Sequence, residues 1–398
     1  SIQMAQPRIG VVVVTYNSGA EAVACLETLL ASARAAALPL QVAVVDNASA
    51  DDTVARIAAW ARGDAPDGPD GPRPDTGHGT GSDIGPGTRH ETPPGRARVP
   101  SPDLPADLPF AVPPLAGPLT LDIAAPGAVP AADADVMVIR APENLGFAGG
   151  VNLGLESLAA VPEIGHFWIL NPDTVTPPEA LAALAAWLEA PPDYALMGGR
   201  VTYVHKPDRI QIDGGTIDWR TGATGNLNLG RSHAATLAPS PDRIDFVMGG
   251  SMVASRAFYD RAGPLEEGYF LYYEEVDWAM RRGTLPLAVC PDLRVYHHSG
   301  TAIGSPGGGT GTSPLSAYFK HRGRMMFLRR FRPQALPVAA LYTLWTALRQ
   351  VSRGGWPVTA ATLAGGFGFP PPRKVAARLG PAARARLRRR AAARRPVS

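Results

Sequence analysis

The sequence predicts an α/β protein with an open, mixed but mainly parallel sheet flanked by helices, and three observations carry that expectation. Residues 11–14 are four consecutive valines that run into Thr15-Tyr16-Asn17, and residues 42–45 form a second apolar run that ends in Asp46-Asn47. One helix-length segment separates the two, so the opening order is strand, helix, strand. A third apolar run at 167–170 enters Asn171-Pro172-Asp173. Ligands of such sheets bind beyond the carboxyl ends of parallel strands, so Thr15, Asn17, Asp46 and Asn47 should converge on one crevice, with Asp173 supplying a carboxylate. Together these residues suggest an enzyme that holds a nucleotide diphosphate through a metal.

Each element follows in order. Ser18-Gly19-Ala20-Glu21 has the spacing of a capping box, and Leu26, Leu29, Leu30 and Ala33 recur at helical intervals, which predicts a helix over 19–37. Ser49 is placed to cap a second helix through Asp52 and the apolar set Val54, Ile57, Ala58 and Trp60. From 63 to 134 the composition turns to Pro, Gly and Asp, too poor in periodic apolar residues to offset ordering entropy, so this segment is expected to be a disordered insertion. Residues 136–139 resume as a strand, and 144–152 read as a Gly-rich turn into a helix. Thr176-Pro177-Pro178-Glu179 opens another helix, since proline is tolerated in a first turn.

Residues 200–235 suggest a β-hairpin excursion, and 246–253 a bent strand or strand pair leading to a helix near 255–261. An aromatic strand over 268–273 is expected to bring the chain to Glu274-Glu275-Val276-Asp277. Strands follow at 287–290 and 294–298. The Gly-rich run 305–311 lacks the Lys-Ser or Lys-Thr of a phosphate loop and reads as a lid or linker. Helices are predicted at 316–331 and 335–351. The organisation is therefore 1–62, the first part of a nucleotide-binding domain; 63–134, the insertion; 135–312, its remainder with the acceptor side; 313–372, a helical extension; and 373–398, a basic tail.

At 398 residues and 45% hydrophobic content the chain can bury a large core. Two cysteines, Cys25 and Cys290, are too few for a disulfide framework or a zinc site, and a reducing cytoplasm is the expected setting. No run of eighteen apolar residues appears, and the first ten residues lack the order of a signal peptide. The net charge of +3 conceals an asymmetry: 373–398 holds ten Arg and Lys and no acid, leaving 3 − 10 = −7 for the rest. Such a tail is either a solvated end or an anchor to an anionic surface. The helices at 316–351 mix Lys320, Arg322 and Arg324 with Phe319, Met325 and Phe327, and either lie against anionic lipid or pack on the catalytic domain.

Three groups of residues carry chemistry. Asp173, with Asn171 two residues before it, has the placement to offer oxygen to magnesium or manganese, ions that keep one or two protein carboxylates and fill the shell with phosphate and water. Glu274, Glu275 and Asp277 follow an aromatic run. In a helix, Glu274, Asp277, Trp278 and Arg281 would share one face while Glu275 points elsewhere, and apolar walls raise a carboxylate toward the range of a useful base. His297 and His298 stand at a strand end, where an imidazole serves as metal ligand, base or packed polar group.

In this order the motifs resemble inverting family 2 glycosyltransferases of the GT-A fold, in particular the bacterial rhamnosyltransferase-like branch. The residues that match are Val14-Thr15-Tyr16-Asn17, Val45-Asp46-Asn47-Ala48-Ser49, Asn144-Leu145-Gly146-Phe147-Ala148, Leu170-Asn171-Pro172-Asp173, Tyr273-Glu274-Glu275-Val276-Asp277 and His297-His298. The resemblance covers most of 8–62 and 135–304. It implies that Thr15, Tyr16 and Asn17 line a nucleotide, that Asp46 reads a pyrimidine base, and that Asn47, Asn144, Gly146, Phe147, Asn152 and Asn171 contribute to the donor site. It further implies that Asp173 and His297 hold the divalent metal and that Glu275 is the base, standing where relatives have Asp, with Asp277 the other choice. The implied partners are a pyrimidine nucleotide diphosphate-sugar donor, L-rhamnose first, and a glycan or lipid-linked acceptor. Peripheral contact with the inner face of the plasma membrane is a further expectation, and nucleic acid is not expected. Two other readings stand beside it: a sugar-phosphate nucleotidyltransferase, and a non-catalytic sugar-nucleotide-binding subunit of a membrane assembly.

Overall fold

The computed structural model describes residues 8–64, 84–115, 117–298, 312–353 and 355–393. The chain opens with β1 (Arg8–Thr15), α1 (Gly19–Ala35), β2 (Leu40–Asp46) and α2 (Thr53–Arg62), then β3 (Arg89–Glu91), β4 (Thr120–Ala124) and β5 (Val136–Arg140). It continues through α3 (Gly146–Ala159), β6 (Ile164–Leu170), β7 (Thr174–Val175), α4 (Pro178–Glu189) and β8 (Leu196–Tyr203). Three short strands follow, β9 (Ile210–Ile212), β10 (Gly215–Ile217) and β11 (Thr224–Asn226), then β12 (Ser251–Ser255), α5 (Arg256–Ala262), α6 (Glu274–Met280) and β13 (Ala288–His297). The C-terminal part is helical: α7 (Pro314–Phe331), α8 (Leu336–Arg353), α9 (Trp356–Gly366), α10 (Arg373–Ala376) and α11 (Pro381–Ala393).

The main sheet runs β3-β4-β5-β2-β1-β6-β12-β8-β13-β7. Pairing is parallel from β4 through β5, β2 and β1 to β6, and antiparallel where β12 sits between β6 and β8. This is the expected mixed, mainly parallel α/β sheet. Alternation along each strand sends one set of side chains to each face. Val11, Val13, Val42, Val44, Val136 and Val138 pack under α1, α2 and α4, whereas Val12, Ala43, Val45, Met137 and Ile139 pack with α3 and the C-terminal side. The small residues of α3 serve close approach: a Cβ at Gly154 would lie 2.6 Å from Val12 Cγ1.

Several expectations are corrected. The segment 63–134 is not disordered throughout: β3 and β4 extend the sheet beyond β5, and Leu115, Leu119, Leu121 and Ile123 are buried in the main core. Residues 65–83 of that segment, the Gly-rich run 305–311 and the end of the tail at 394–398 lie outside the described residues. Residues 268–273 form no strand; a short 3-10 turn at Glu267–Tyr269 passes into an irregular turn. The runs at 287–290 and 294–298 merge into the single strand β13. Ser18 does not cap α1, its hydroxyl donating instead to the Tyr16 carbonyl at 2.8 Å, and Ser49 bonds Asp46 rather than capping α2.

The basic tail is part of the fold rather than a loose end as far as it is described. Val375, Leu379, Ala383 and Leu387 are buried with Phe270, Tyr318 and Phe319, and Arg386 pairs with Glu143 at 3.6 Å and Glu267 at 3.1 Å. Helix α7 packs along α9 and also reaches the 3-10 turn Glu267–Tyr269 through Arg322, which donates to the Gly268 carbonyl. Among the described residues no helix is long and apolar enough to cross a membrane.

Candidate active site

A cavity of about 710 Å³ opens at the carboxyl ends of β1, β2 and β6 and is closed by residues from the β10–β11 hairpin, the turn before α6, helices α7 and α8, and Arg378 and Leu379 beyond α10. Thr15, Tyr16, Asn47, Asn144, Gly146, Phe147, Asn171, Asp173 and Glu275 all line it. Thr15 is fully buried, and its hydroxyl has no hydrogen-bond partner among the described residues. Asn47 acts on the neighbouring loop: its Nδ2 donates to the Gly146 carbonyl at 2.9 Å and its Oδ1 accepts from the Leu145 amide at 3.3 Å. Asn144 Oδ1 accepts from the Gly146 amide at 3.0 Å. Gly146 has φ +75°, and a Cβ there would sit 2.5 Å from the Phe270 carbonyl oxygen, so only glycine lets this turn meet the turn before α6.

Asp173 and His297 are brought together by antiparallel pairing of β7 with β13, which places His297 opposite Thr174. His297 Nε2 lies 2.8 Å from Asp173 Oδ2, and the His298 amide donates to the Asp173 carbonyl at 2.7 Å. Asp173 is buried at 4% exposure, and its Oδ1 has no hydrogen-bond partner among the described residues. A buried carboxylate oxygen left over at the cavity wall is the donor that a hard divalent cation takes. Asp173 and His297 therefore fit as two ligands of a metal whose remaining shell would be phosphate and water; no cluster of three or more such side chains occurs among the described residues.

The acid cluster separates into three environments. Glu274 is buried at 3%, with Oε2 unpartnered among the described residues, and burial followed by the neighbouring Glu275 charge holds its carboxyl well above the usual range. Glu275 faces the cavity, and burial pushes its carboxyl up to about 7. Asp277 is fully buried and committed elsewhere. It accepts from Tyr269 Oη at 2.7 Å and Arg281 Nε at 2.9 Å and lies 3.2 Å from Arg330 Nε, so neither oxygen is offered to the cavity. This corrects the expectation of Asp277 as an alternative base: it is an anchor of α6.

The turn that presents Glu275 is strained. Phe270, Tyr272 and Tyr273 have φ of 66°, 62° and 69°, a region that costs such residues roughly 1–3 kcal/mol each and persists only where the surroundings over-determine it. Here they do. Phe270 stacks on Phe319 of α7 with centroids 5.3 Å apart, its carbonyl accepts the Phe147 amide, Tyr272 Oη meets Ser316 Oγ at 3.2 Å, and Tyr273 Oη donates to the Gly222 carbonyl at 2.8 Å.

Three residues expected in the donor site are placed elsewhere. Asn152 is locked to Leu265, donating to its carbonyl and accepting its amide, both at 2.9 Å. Asn17, at φ 49°, accepts the Ala50 amide on its Oδ1 and donates its own backbone amide to Ser49 Oγ, so it pins the loop after β2. Asp46 is fully buried beneath that loop with Ser49 Oγ at 2.5 Å, and burial raises its carboxyl despite the Ser49 bonds. None of the three is among the cavity's lining residues. Conversely, Tyr203, Asn226, Lys320, His321, Arg324, Tyr342 and Arg378 line the cavity without having been singled out for it. Arg324 is buried at 2% and bonds to the Thr221 and Ala339 carbonyls, Thr343 Oγ1 and His321, with no carboxylate among these partners.

Residues 120–240 match the family model described as glycosyl transferase family 2, a stretch that contains Asn144, Gly146 and Asp173 but ends before Glu275. No curated protein matches the sequence. Solved structures with a similar course include a mannosyltransferase from Pyrobaculum calidifontis in complex with GDP-Man and Mn2+, at 15% identity and TM-score 0.41, covering 98% of this chain and 87% of that one. Another is S. aureus TarS, residues 1–349, in complex with UDP-GlcNAc, at 13% identity and TM-score 0.46, covering 97% and 87%. Likeness at this level says nothing of donor or acceptor. The class is a glycosyltransferase, with a family 2 region at 120–240 carried on the mixed, mainly parallel sheet.

Proposed function

We propose that the chain is an inverting glycosyltransferase that moves a sugar, L-rhamnose foremost, from a pyrimidine nucleotide diphosphate to a hydroxyl of a cell-surface glycan or lipid-linked acceptor, at the cytoplasmic face of the membrane. One observation carries the reading: a single cavity is lined both by Asp173, which His297 contacts at 2.8 Å, and by Glu275, whose carboxyl burial pushes up to about 7. Strand ends supply the donor side through Thr15, Tyr16, Asn47 and Asn171. Glu275 takes the proton of the acceptor hydroxyl as that oxygen attacks the anomeric carbon, and the bond to the nucleotide diphosphate breaks on the opposite face, inverting the centre. A carboxyl poised near pH 7 combines a useful fraction of base with a useful affinity for the proton. Asp173 and His297 would hold manganese or magnesium, which when bound supplies positive charge to a departing diphosphate. Tyr272 and Tyr273 exclude water around the Glu275 carboxyl.

The test is a thermal-shift panel of deoxythymidine-, uridine- and guanosine-diphosphate sugars with Mn2+, followed by donor hydrolysis monitored by proton NMR. The expected result is a pyrimidine-sugar shift, hydrolysis abolished by chelator and by Glu275→Gln, and a released sugar of inverted anomeric configuration. Retained configuration, or hydrolysis indifferent to Glu275→Gln, refutes the proposal.

A further inference from the structure

Among the described residues thirteen large apolar side chains are exposed, and nine of them lie between Val338 and Phe369. That concentration is too local to be the scatter of single apolar residues found on any surface. Six belong to α8: Val338, Leu341, Leu344, Trp345, Leu348 and Val351, spaced to form one stripe along the helix. The opposite face of α8 holds the small residues Ala339, Thr343 and Ala347, which are the buried ones. The helix thus packs on the protein through Ala and Thr and turns Leu and Trp outward, the reverse of what a water-covered helix carries. Trp356, 72% exposed at the start of α9, and Phe367 and Phe369 beyond its end add aromatic surface on the helix that packs beside α8.

Charge identifies the occupant. Residues 293–398 contain nineteen Lys and Arg and no Asp or Glu. Arg349 and Arg353 are exposed on α8 itself, and the Arg349 guanidinium lies 4.5 Å from the Trp345 ring centroid, a cation and an aromatic ring at one level of the stripe. A second copy of the chain meeting α8 about a twofold axis would set these cations against their own counterparts. At eighteen residues α8 is about 27 Å long, and no described helix has the length and apolarity to span a bilayer, so it lies along a surface. We infer that the outer face of α8, with Trp356, docks in the interfacial region of an anionic phospholipid membrane. The surface is neither the basic tail, whose apolar residues are spent on the core, nor α7, which packs on the catalytic domain. Helix α8 also supplies Tyr342 to the cavity, so docking sets the cavity beside the lipid.

Docking does not rest on the transferase reading, because it is measured by binding alone. The full chain is sedimented with sucrose-loaded vesicles of phosphatidylcholine, alone or mixed with phosphatidylglycerol. Binding to the anionic vesicles is expected to exceed that to neutral ones by about tenfold or more, and Arg349→Gln/Arg353→Gln to remove most of that preference. Leu341→Gln/Leu348→Gln should weaken binding by about tenfold or more with no fall in thermal midpoint, since both side chains already face outward. Brominated lipid should quench the tryptophan fluorescence of the unaltered protein, and Trp345→Phe/Trp356→Phe should remove that quenching. The inference is overturned by absence of vesicle binding, by binding and quenching indifferent to these changes, or by a dimer in sedimentation velocity that Leu341→Gln/Leu348→Gln dissolves.

Discussion

Replacing Glu275 by Gln should make the protein more stable and inactive at once, and the pH at which each effect appears is set by the environment of the carboxyl. Burial raises Glu275 from the ordinary 4.5 to about 7, so the folded state favours the protonated form. That contribution is fully present below pH 4.5 and is lost as pH rises through about 7, where the carboxylate must exist partly desolvated at the cavity wall. At 1.36 kcal/mol per pH unit the gap amounts to about 3 kcal/mol. Glutamine keeps the shape and never ionises, so Glu275→Gln should be more stable than the parent by up to about 3 kcal/mol at pH 8, shrinking to roughly a quarter of that at pH 5. Paired urea titrations at the two pH values measure this difference. Turnover should fall by about a hundredfold or more, the usual worth of a positioned base, while calorimetric donor affinity is retained. In the parent, kcat/KM should climb with pH to a plateau above about 7. A variant equally or less stable at pH 8, or a parent profile flat through neutrality, refutes the reasoning.

Asp277→Asn should behave oppositely: leaving Arg281, Arg330 and Tyr269 without their buried anion is expected to cost about 3–5 kcal/mol in urea unfolding, and a stable variant lacking only turnover would return Asp277 to the role of base. Gly146→Ala should destabilise by about 1–3 kcal/mol and weaken donor binding by calorimetry, because its Cβ meets the Phe270 carbonyl and displaces Phe147 from the cavity. Asp173→Asn should weaken Mn2+ affinity by about tenfold or more in an electron-paramagnetic-resonance titration with nucleotide diphosphate present, and unchanged affinity would remove the Asp173–His297 pair from the metal site.

Much of the sheet was legible because its signal is local. The valine runs specify β1 and β2, and the strand ends they predict do line the cavity at Thr15, Tyr16 and Asn47. The Asp277–Arg281 pair was also readable, since it is the i,i+4 contact that helical spacing allows; the same spacing did not show that Glu274 and Glu275 both line the cavity while Asp277 does not. The ordered half of the insertion was hidden by its Pro and Gly content, although Leu119, Leu121 and Ile123 alternate as a strand does. The tail was similar: Val375, Leu379, Ala383 and Leu387 recur every fourth residue among the arginines, an apolar stripe masked by charge. That Asn17, Asp46 and Asn152 do not line the cavity was not legible for a different reason. Each sits beside a strand end or loop and has the chemistry to bind a ligand, but only three-dimensional structure reveals that Ala50, Ser49 and Leu265 already use those groups.

The helical extension is the part whose role changes most. Three strained residues in one turn, Phe270, Tyr272 and Tyr273, sum to several kcal/mol, which a chain of marginal stability cannot leave uncompensated. The compensation comes from α7: Phe319 stacks on Phe270, Ser316 meets Tyr272, and a Cβ at Gly323 would lie 2.9 Å from Tyr273 Cδ2, so the helix is pressed against all three. The tail helices in turn bury Phe319 and Phe270 in one cluster. Because Glu275 follows directly on this turn, the direction of its carboxyl depends on residues more than forty positions later in the chain. The family match ends at residue 240, short of both the turn and its brace. The donor half of the site therefore belongs to the sheet, while the placing of the base belongs to the extension, and the same extension carries the α8 stripe. A perturbation at α8 has a short path to Glu275 through Thr343, Arg324 and α7, one that runs through packed side chains rather than through the sheet.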